Sequence, residues 1–106
     1  MRTEDEVIDI LRGLYNEEFG GKVRQRFRLS WADLRVIYGT TKLFRSRFES
    51  LKERAFERGL YVWNPIEDDI VVVRRSNVER WRRVPKRIIE EYREVEPQEP
   101  AEEEDE

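Results

Sequence analysis

The fold turns on the stretch S-W-A-D-L-R-V-I-Y-G-T-T-K-L-F, Ser30 to Phe44. Ser30 with Asp33 behind it marks a helix N-terminus, where side-chain oxygens take backbone N–H groups that have no partner inside the helix. Trp31, Leu34, Ile37 and Tyr38 supply the apolar face of a helix about two turns long. Gly39 closes it, because glycine enters the left-handed conformation without steric penalty. Thr40 or Thr41 is then expected to cap a longer helix. On that helix Phe44, Phe48, Leu51 and Ala55 share a narrow arc, the expected buried stripe, and Gly59 ends it. Lys42, Ser46, Glu49 and Glu53 lie opposite the stripe with Arg45 at its edge, whereas Arg47 flanks it and is expected to pack its stem over the core.

Outward from this centre the pattern stays regular. Thr3 with Glu6 reads as a capping box, and Val7, Ile8, Leu11, Leu14, Tyr15 and Phe19 repeat at helical spacing until Gly20 and Gly21. In K-V-R-Q-R-F-R-L-S, Val23, Gln25, Phe27 and Leu29 alternate with Arg24, Arg26 and Arg28, a period of two that predicts a short strand with an outward basic ladder. Leu60 to Trp63 and Ile70 to Val73 are β-prone runs joined by N-P-I-E-D-D, read as a hairpin that turns at Asn64-Pro65 and has an acidic loop. Ser76 and Glu79 predict a further capped helix running toward Val95, kinked or divided by Pro85. Beyond Glu94 the composition turns acidic, and residues 95–106 are expected to be a disordered tail. The first 94 residues make one domain.

Composition narrows the chemistry. The 106 residues contain no cysteine and no histidine, which excludes thiol nucleophiles, disulfides, Cys/His zinc sites and imidazole catalysis. No catalytic activity, metal or cofactor is expected. The consecutive Glu67, Asp68 and Asp69 lack converging ligand geometry. No apolar run reaches the roughly 18 residues of a membrane span, and the N-terminus lacks a signal-peptide core, so a cytoplasmic location is expected. Charged residues reach 42%, with 17 arginines to 4 lysines; the charge density fits a thermophile, the arginine bias less so. The net charge of -3 is uneven: residues 95–106 hold seven acids and no base, whereas residues 22–94 hold 19 bases and 11 acids. A folded body with excess positive charge is a footprint of nucleic-acid binding.

The order helix, short strand, short helix, tight turn, longer helix, β-hairpin resembles a winged-helix domain, an α+β fold, here followed by a C-terminal helical extension. The resemblance spans roughly Thr3 to Val73 and rests on the element order and on the Ser30 to Phe44 turn region. It implies that the third helix is a recognition helix for the major groove of double-stranded DNA and the hairpin a wing, the activity of a small transcriptional regulator. On that basis Thr40, Thr41, Lys42, Arg45 and Ser46 are candidate contacts, with Arg45 able to bind guanine through two parallel hydrogen bonds. Arg74 and Arg75 at the wing base are added.

Two further groups come from the residues themselves. The stretch R-W-R-R-V-P-K-R places Arg80, Arg82, Arg83, Lys86 and Arg87 around Trp81, a density that attracts a polyanion through counterion release. Arg24, Arg26 and Arg28 are either a phosphate rail or a soluble strand edge. Val78, Trp81, Pro85, Ile88, Tyr92 and Val95 follow an alternating three-and-four spacing, which predicts a homodimer contact through the extension. Two other readings stand beside DNA binding. One is a protein-interaction module whose acidic wing and tail meet a basic partner, with Phe56 or Trp63 filling its pockets; the other is RNA binding by the arginine ladder and the 80–87 cluster.

Overall fold

The computed structural model describes residues 1–17, 21, 25–93, 95 and 97–100. Five helices and a three-stranded antiparallel sheet make an α+β fold, in the order α1 (Glu4–Asn16), β1 (Phe27–Ser30), α2 (Trp31–Tyr38), α3 (Arg45–Glu57), β2 (Leu60–Ile66), β3 (Asp69–Arg74), α4 (Arg75–Glu79) and α5 (Lys86–Glu90). The strand order is β1-β3-β2.

The two capping boxes form as the sequence predicts. Thr3 accepts the Glu6 N–H while Glu6 accepts the Thr3 N–H, and Ser30 and Asp33 do the same for α2. Gly39 ends α2 at φ 80°, and its N–H donates to the carbonyls of Arg35 and Val36. Arg2 adds a cation at the same C-terminus, with Nη1 donating to the Ile37 carbonyl at 2.8 Å, and Arg12 does likewise for α3 through the Arg58 carbonyl at 2.6 Å. Both positions suit positive charge, because the carbonyl end of a helix is electronegative.

The core lies between α1, α2, α3 and one face of the sheet. Val7, Ile8 and Leu11 of α1, Leu34 and Tyr38 of α2, and Phe48, Leu51 and Ala55 of α3 close over Leu60, Val62, Ile70 and Val72. Register explains which strand residues join them. Val72 faces Phe27 on one side and Val62 on the other, so this row points inward and the next row, Arg28, Val71 and Trp63, points outward.

Four expectations need correction. The third helix starts at Arg45 with Phe44 as its N-cap and no side-chain cap; the Thr40 hydroxyl is used instead to close a local turn, accepting from the Lys42 N–H and donating to the Lys42 carbonyl. Phe44, ahead of the helix, is 63% exposed and does not belong to the buried stripe. The hairpin turns at Glu67 and Asp68 rather than at Asn64-Pro65, which form an irregularity inside β2. Proline has no N–H to give the ladder, and the Asn64 side chain fills in by donating to the carbonyls of Ile66 and Asp69. The C-terminal extension is divided into two five-residue helices separated at residues 80–85, with Arg74 rather than Ser76 preceding the first. The three-and-four spacing from Val78 to Val95 therefore crosses a break and makes no continuous helical face.

Phe19, Gly20, Val23 and Arg24 lie outside the described residues, as do residues 101–106. Residues 97–100 carry no helix or strand.

Candidate nucleic-acid interface

At the start of α3 the candidates divide. Ser46 and Arg45 sit in the first turn of the helix, exposed. No acid occupies that turn and no side chain caps it; the N–H groups of Arg47 and Phe48 already donate to the Phe44 carbonyl, so what the turn offers an anion is its positive dipole end and the earliest N–H groups. Thr40, Thr41 and Lys42 belong to the preceding loop. Lys42 is exposed, with its ammonium 5.9 Å from the Phe44 ring.

Arg45 is exposed yet has several contacts. Its guanidinium lies over the rings of Trp31 at 5.1 Å and Phe48 at 5.6 Å and donates to Asn64 Oδ1 at 3.4 Å. A cation over aromatic faces is held by their quadrupoles, so Arg45 is oriented between α2, α3 and the hairpin. Arg47 takes the structural role expected of it, with its guanidinium over the Tyr38 ring at 5.3 Å and Nε paired with Glu4 Oε2 at 2.5 Å. Burial alone raises the pKa of Glu4, but the hydrogen bonds from Arg47 and Tyr38 outweigh it and hold the carboxyl below its ordinary range. The Tyr38 hydroxyl is pushed upward by burial and by Glu4 as its acceptor.

The acidic tip of the hairpin folds back on the protein. Asp68 Oδ1 accepts the Trp31 backbone N–H at 3.3 Å, and the indole N–H of Trp31 donates to the Glu67 carbonyl at 3.1 Å. A carboxylate at the first turn of α2 is favoured by the helix dipole. Asp69 pairs with Arg28 at 3.2 Å, which occupies one of the ladder arginines. Arg26 is exposed, and Arg24 lies outside the described residues.

At the base of the hairpin Arg75 is a structural tie. It lies over the Phe56 ring at 4.8 Å, donates to the Phe56 carbonyl at 2.7 Å and pairs with Glu79 at 3.3 Å. Its separation of four from Glu79 was the visible signal for this pairing. Arg74 is exposed and stands over the Tyr15 ring at 5.3 Å, on the α1 side.

The cluster following α4 is different. Arg80, Arg82, Arg83, Lys86 and Arg87 are all exposed, and no carboxylate pairs with any of them among the described residues. Trp81 among them is 65% exposed; it does not dock in the core.

A groove between α3 and β2 is lined by Glu49, Lys52, Glu53, Phe56, Glu57, Tyr61, Val62 and Trp63. Through Tyr61 and Trp63 it adjoins a trough on the outer sheet face that Trp81 also lines. Glu49, Glu53 and Glu57 thus line a groove that shares Tyr61 and Trp63 with the trough at Trp81. That apolar trough escaped the sequence reading, although a signal was present: L-Y-V-W and I-V-V-V are apolar at every position, the pattern of strands with two faces to cover.

Among the described residues no group of three or more acids converges as metal ligands would, and no helix is long and apolar enough to cross a membrane. Comparison of the chain with protein-family models, with curated proteins and with solved structures gave no match.

Proposed function

We propose that this chain is a small winged-helix protein that binds double-stranded DNA in a regulatory role, with α3 as the recognition helix and β2–β3 as the wing. The observation that carries the proposal is the set of five exposed cations from Arg80 to Arg87 without a carboxylate partner among the described residues. Cations so close together repel one another, and an anion relieves that repulsion while releasing the counterions of the DNA backbone. The uncapped start of α3, with Lys42, Arg45 and Ser46, supports a second contact, and the order of elements and of strands suits the winged-helix resemblance. Arg75 and Arg28 leave the contact set, since both are committed to acids. The wing tip, tied to α2 by Glu67 and Asp68, takes no part in phosphate binding.

Titration against duplex DNA at several salt concentrations tests this. Binding should weaken steeply with salt, and the triple variant Arg82→Gln, Arg83→Gln, Arg87→Gln should reduce the slope of log affinity against log salt by about 0.9 for each phosphate it no longer neutralises. Salt-insensitive binding, or none, refutes the proposal; preference for single-stranded RNA over duplex redirects it to RNA.

A protein-interaction reading is favoured by the groove between α3 and β2, where Glu49, Glu53 and Glu57 surround Phe56 and Trp63. It fits a basic peptide with an apolar anchor. Capture of such a partner that Glu53→Lys abolishes, with DNA binding absent, would establish it.

A further inference from the structure

Residues 80–89, R-W-R-R-V-P-K-R-I-I, hold five bases and no acid. The acids that flank them are already engaged, Glu79 with Arg75 at 3.3 Å and Glu90 with Arg93 at 2.6 Å. Every residue from 79 to 87 is exposed, so packing on the core holds none of this stretch. Arg82, Arg83 and Arg87 nonetheless face one place: with Val84, Pro85 and Ile88 they line a concavity of about 450 Å³.

The form of the backbone here decides which part of a duplex it can enter. Residues 82–85 belong to no helix or strand, and Pro85 is extended at φ -60°, ψ 143°. The sequence dictates this: the proline ring clashes with a helical residue before it, so Val84 favours the extended form, and the ring fixes the φ of Pro85 itself. An α-helix with its side chains is about 10–12 Å across and fits the major groove, about 12 Å wide. The minor groove, about 6 Å wide, is too narrow for a helix and admits a single extended chain. Four extended residues span about 13 Å, the rise of about four base pairs.

We infer that residues 82–85 lie in the minor groove of an A·T-rich duplex, with Arg82 and Arg83 reading it, an inference that rests on the DNA-binding reading. Composition agrees, since four of the five bases are arginine. A guanidinium is more weakly hydrated than an ammonium and sheds water more readily, and the narrow groove of an A·T tract concentrates the negative potential that draws arginine in. A G·C pair places the guanine amino group in that groove, where it confronts the arginine donors with another donor and obstructs Val84 and Pro85. Lys86 and Arg87, on the helix that follows, fall to the phosphates of the groove wall. The segment thereby adds a source of sequence preference separate from the major-groove contact of α3.

Titration of the full-length chain at fixed salt against three duplexes of equal length tests it: one with a central A·T tract, one with G·C pairs there, and one with inosine·cytosine pairs. Inosine lacks the guanine amino group, so the third duplex has the minor-groove pattern of A·T and keeps the major-groove pattern of G·C. The A·T and inosine duplexes should bind alike, both about fivefold or more tighter than G·C. Arg82→Lys combined with Arg83→Lys keeps the charge at two exposed positions, so the variant should fold; it should retain the salt slope and lose the preference. If the inosine duplex binds like G·C, the preference is read in the major groove, and the inference falls while DNA binding stands. Equal affinity for all three duplexes, or a preference that survives the double variant, overturns it in the same way and leaves the segment on the phosphates. Absence of duplex binding removes the DNA-binding reading and this inference together.

Discussion

Two sets of arginines show opposite uses of one residue type. Along the seam between α1 and α3 three arginines meet acids of α1: Arg47 meets Glu4, Arg54 grips both oxygens of Asp5 at 3.0 and 3.1 Å, and Arg58, just past the end of α3, reaches Asp9 at 2.7 Å. From Arg80 to Arg87 the density of charge is greater and no acid answers it among the described residues. What separates the two is topology. The acids of α1 are brought against the bases of α3 because both helices bury an apolar stripe in one core, whereas the 80–87 segment leaves that core, and the acid of its own helix α5, Glu90, pairs with Arg93 instead. Charge that folding has already paired is structural; charge that folding leaves unpaired is available to a partner.

The largest test of this contrast compares packing on the two sides. Leu51 is fully buried on α3, and Leu51→Ala should cost about 2–5 kcal/mol through lost transfer energy and the cavity left behind. Trp81→Ala, read in urea unfolding at a concentration where the chain is single, should stay within about 0.5 kcal/mol, as for an exposed site with no special contact. Equal costs would mean that the segment after α4 is packed like the core, and the contrast would collapse.

The charges themselves can then be exchanged. Removing Arg82, Arg83 and Arg87 should leave the unfolding midpoint in place while flattening the salt dependence of DNA binding; removing Arg54 and Arg58 should lower the midpoint and leave the salt slope unchanged. The crossed result, stability lost from the first set and DNA binding from the second, would reverse the assignment of both regions.

A smaller effect separates caps that form from caps that the sequence only imitates. Ser30→Ala should cost about 1 kcal/mol, since the hydroxyl takes the Asp33 N–H at the start of α2. Thr40→Ala should cost less, because its hydroxyl closes a loop turn and caps no helix. The same pair shows what the sequence could convey. Thr3 with Glu6 and Ser30 with Asp33 are local devices, complete within four residues, and both helices begin where those residues stand. Thr40 and Thr41 present the same chemistry without an acid three positions on, and the helix begins later, at Arg45. At the candidate site the legible part was composition: the 80–87 cluster is exposed as a run of bases must be. Three features depended on contacts remote in sequence, namely Arg45 over Trp31, Asp68 at the Trp31 N–H and the trough between β2, β3 and Trp81. No local pattern encodes which ring or which helix end a distant strand brings near.

The smallest predicted effect is the pH response, and its sign follows from the same two regions. The hydrogen bonds from Arg54 outweigh the opposing effect of burial and, with the charges of Arg54 and Arg58, hold Asp5 below its ordinary 3.8, and Glu4 lies below its ordinary 4.5 through Arg47 and Tyr38 despite burial. In both cases the unfolded chain binds protons at a pH where the folded chain does not. Their stabilising contribution is therefore complete above about pH 4.5 and declines as the pH falls through the folded values. With no histidine in the chain, no side chain of ordinary pKa changes charge between pH 5 and 8. The thermal midpoint should thus be flat across that range and fall below it, and Glu4→Gln should make the fall shallower by removing one of the protons taken up on unfolding. The arginines and lysine of the 80–87 cluster have no acid to protonate among the described residues, so replacing them should leave the acid limb of the curve unchanged. A steeper or shallower limb in the Arg82, Arg83, Arg87 variant would reveal a carboxylate paired with the cluster in the folded chain, and the distinction between the two sets of arginines would then be one of degree.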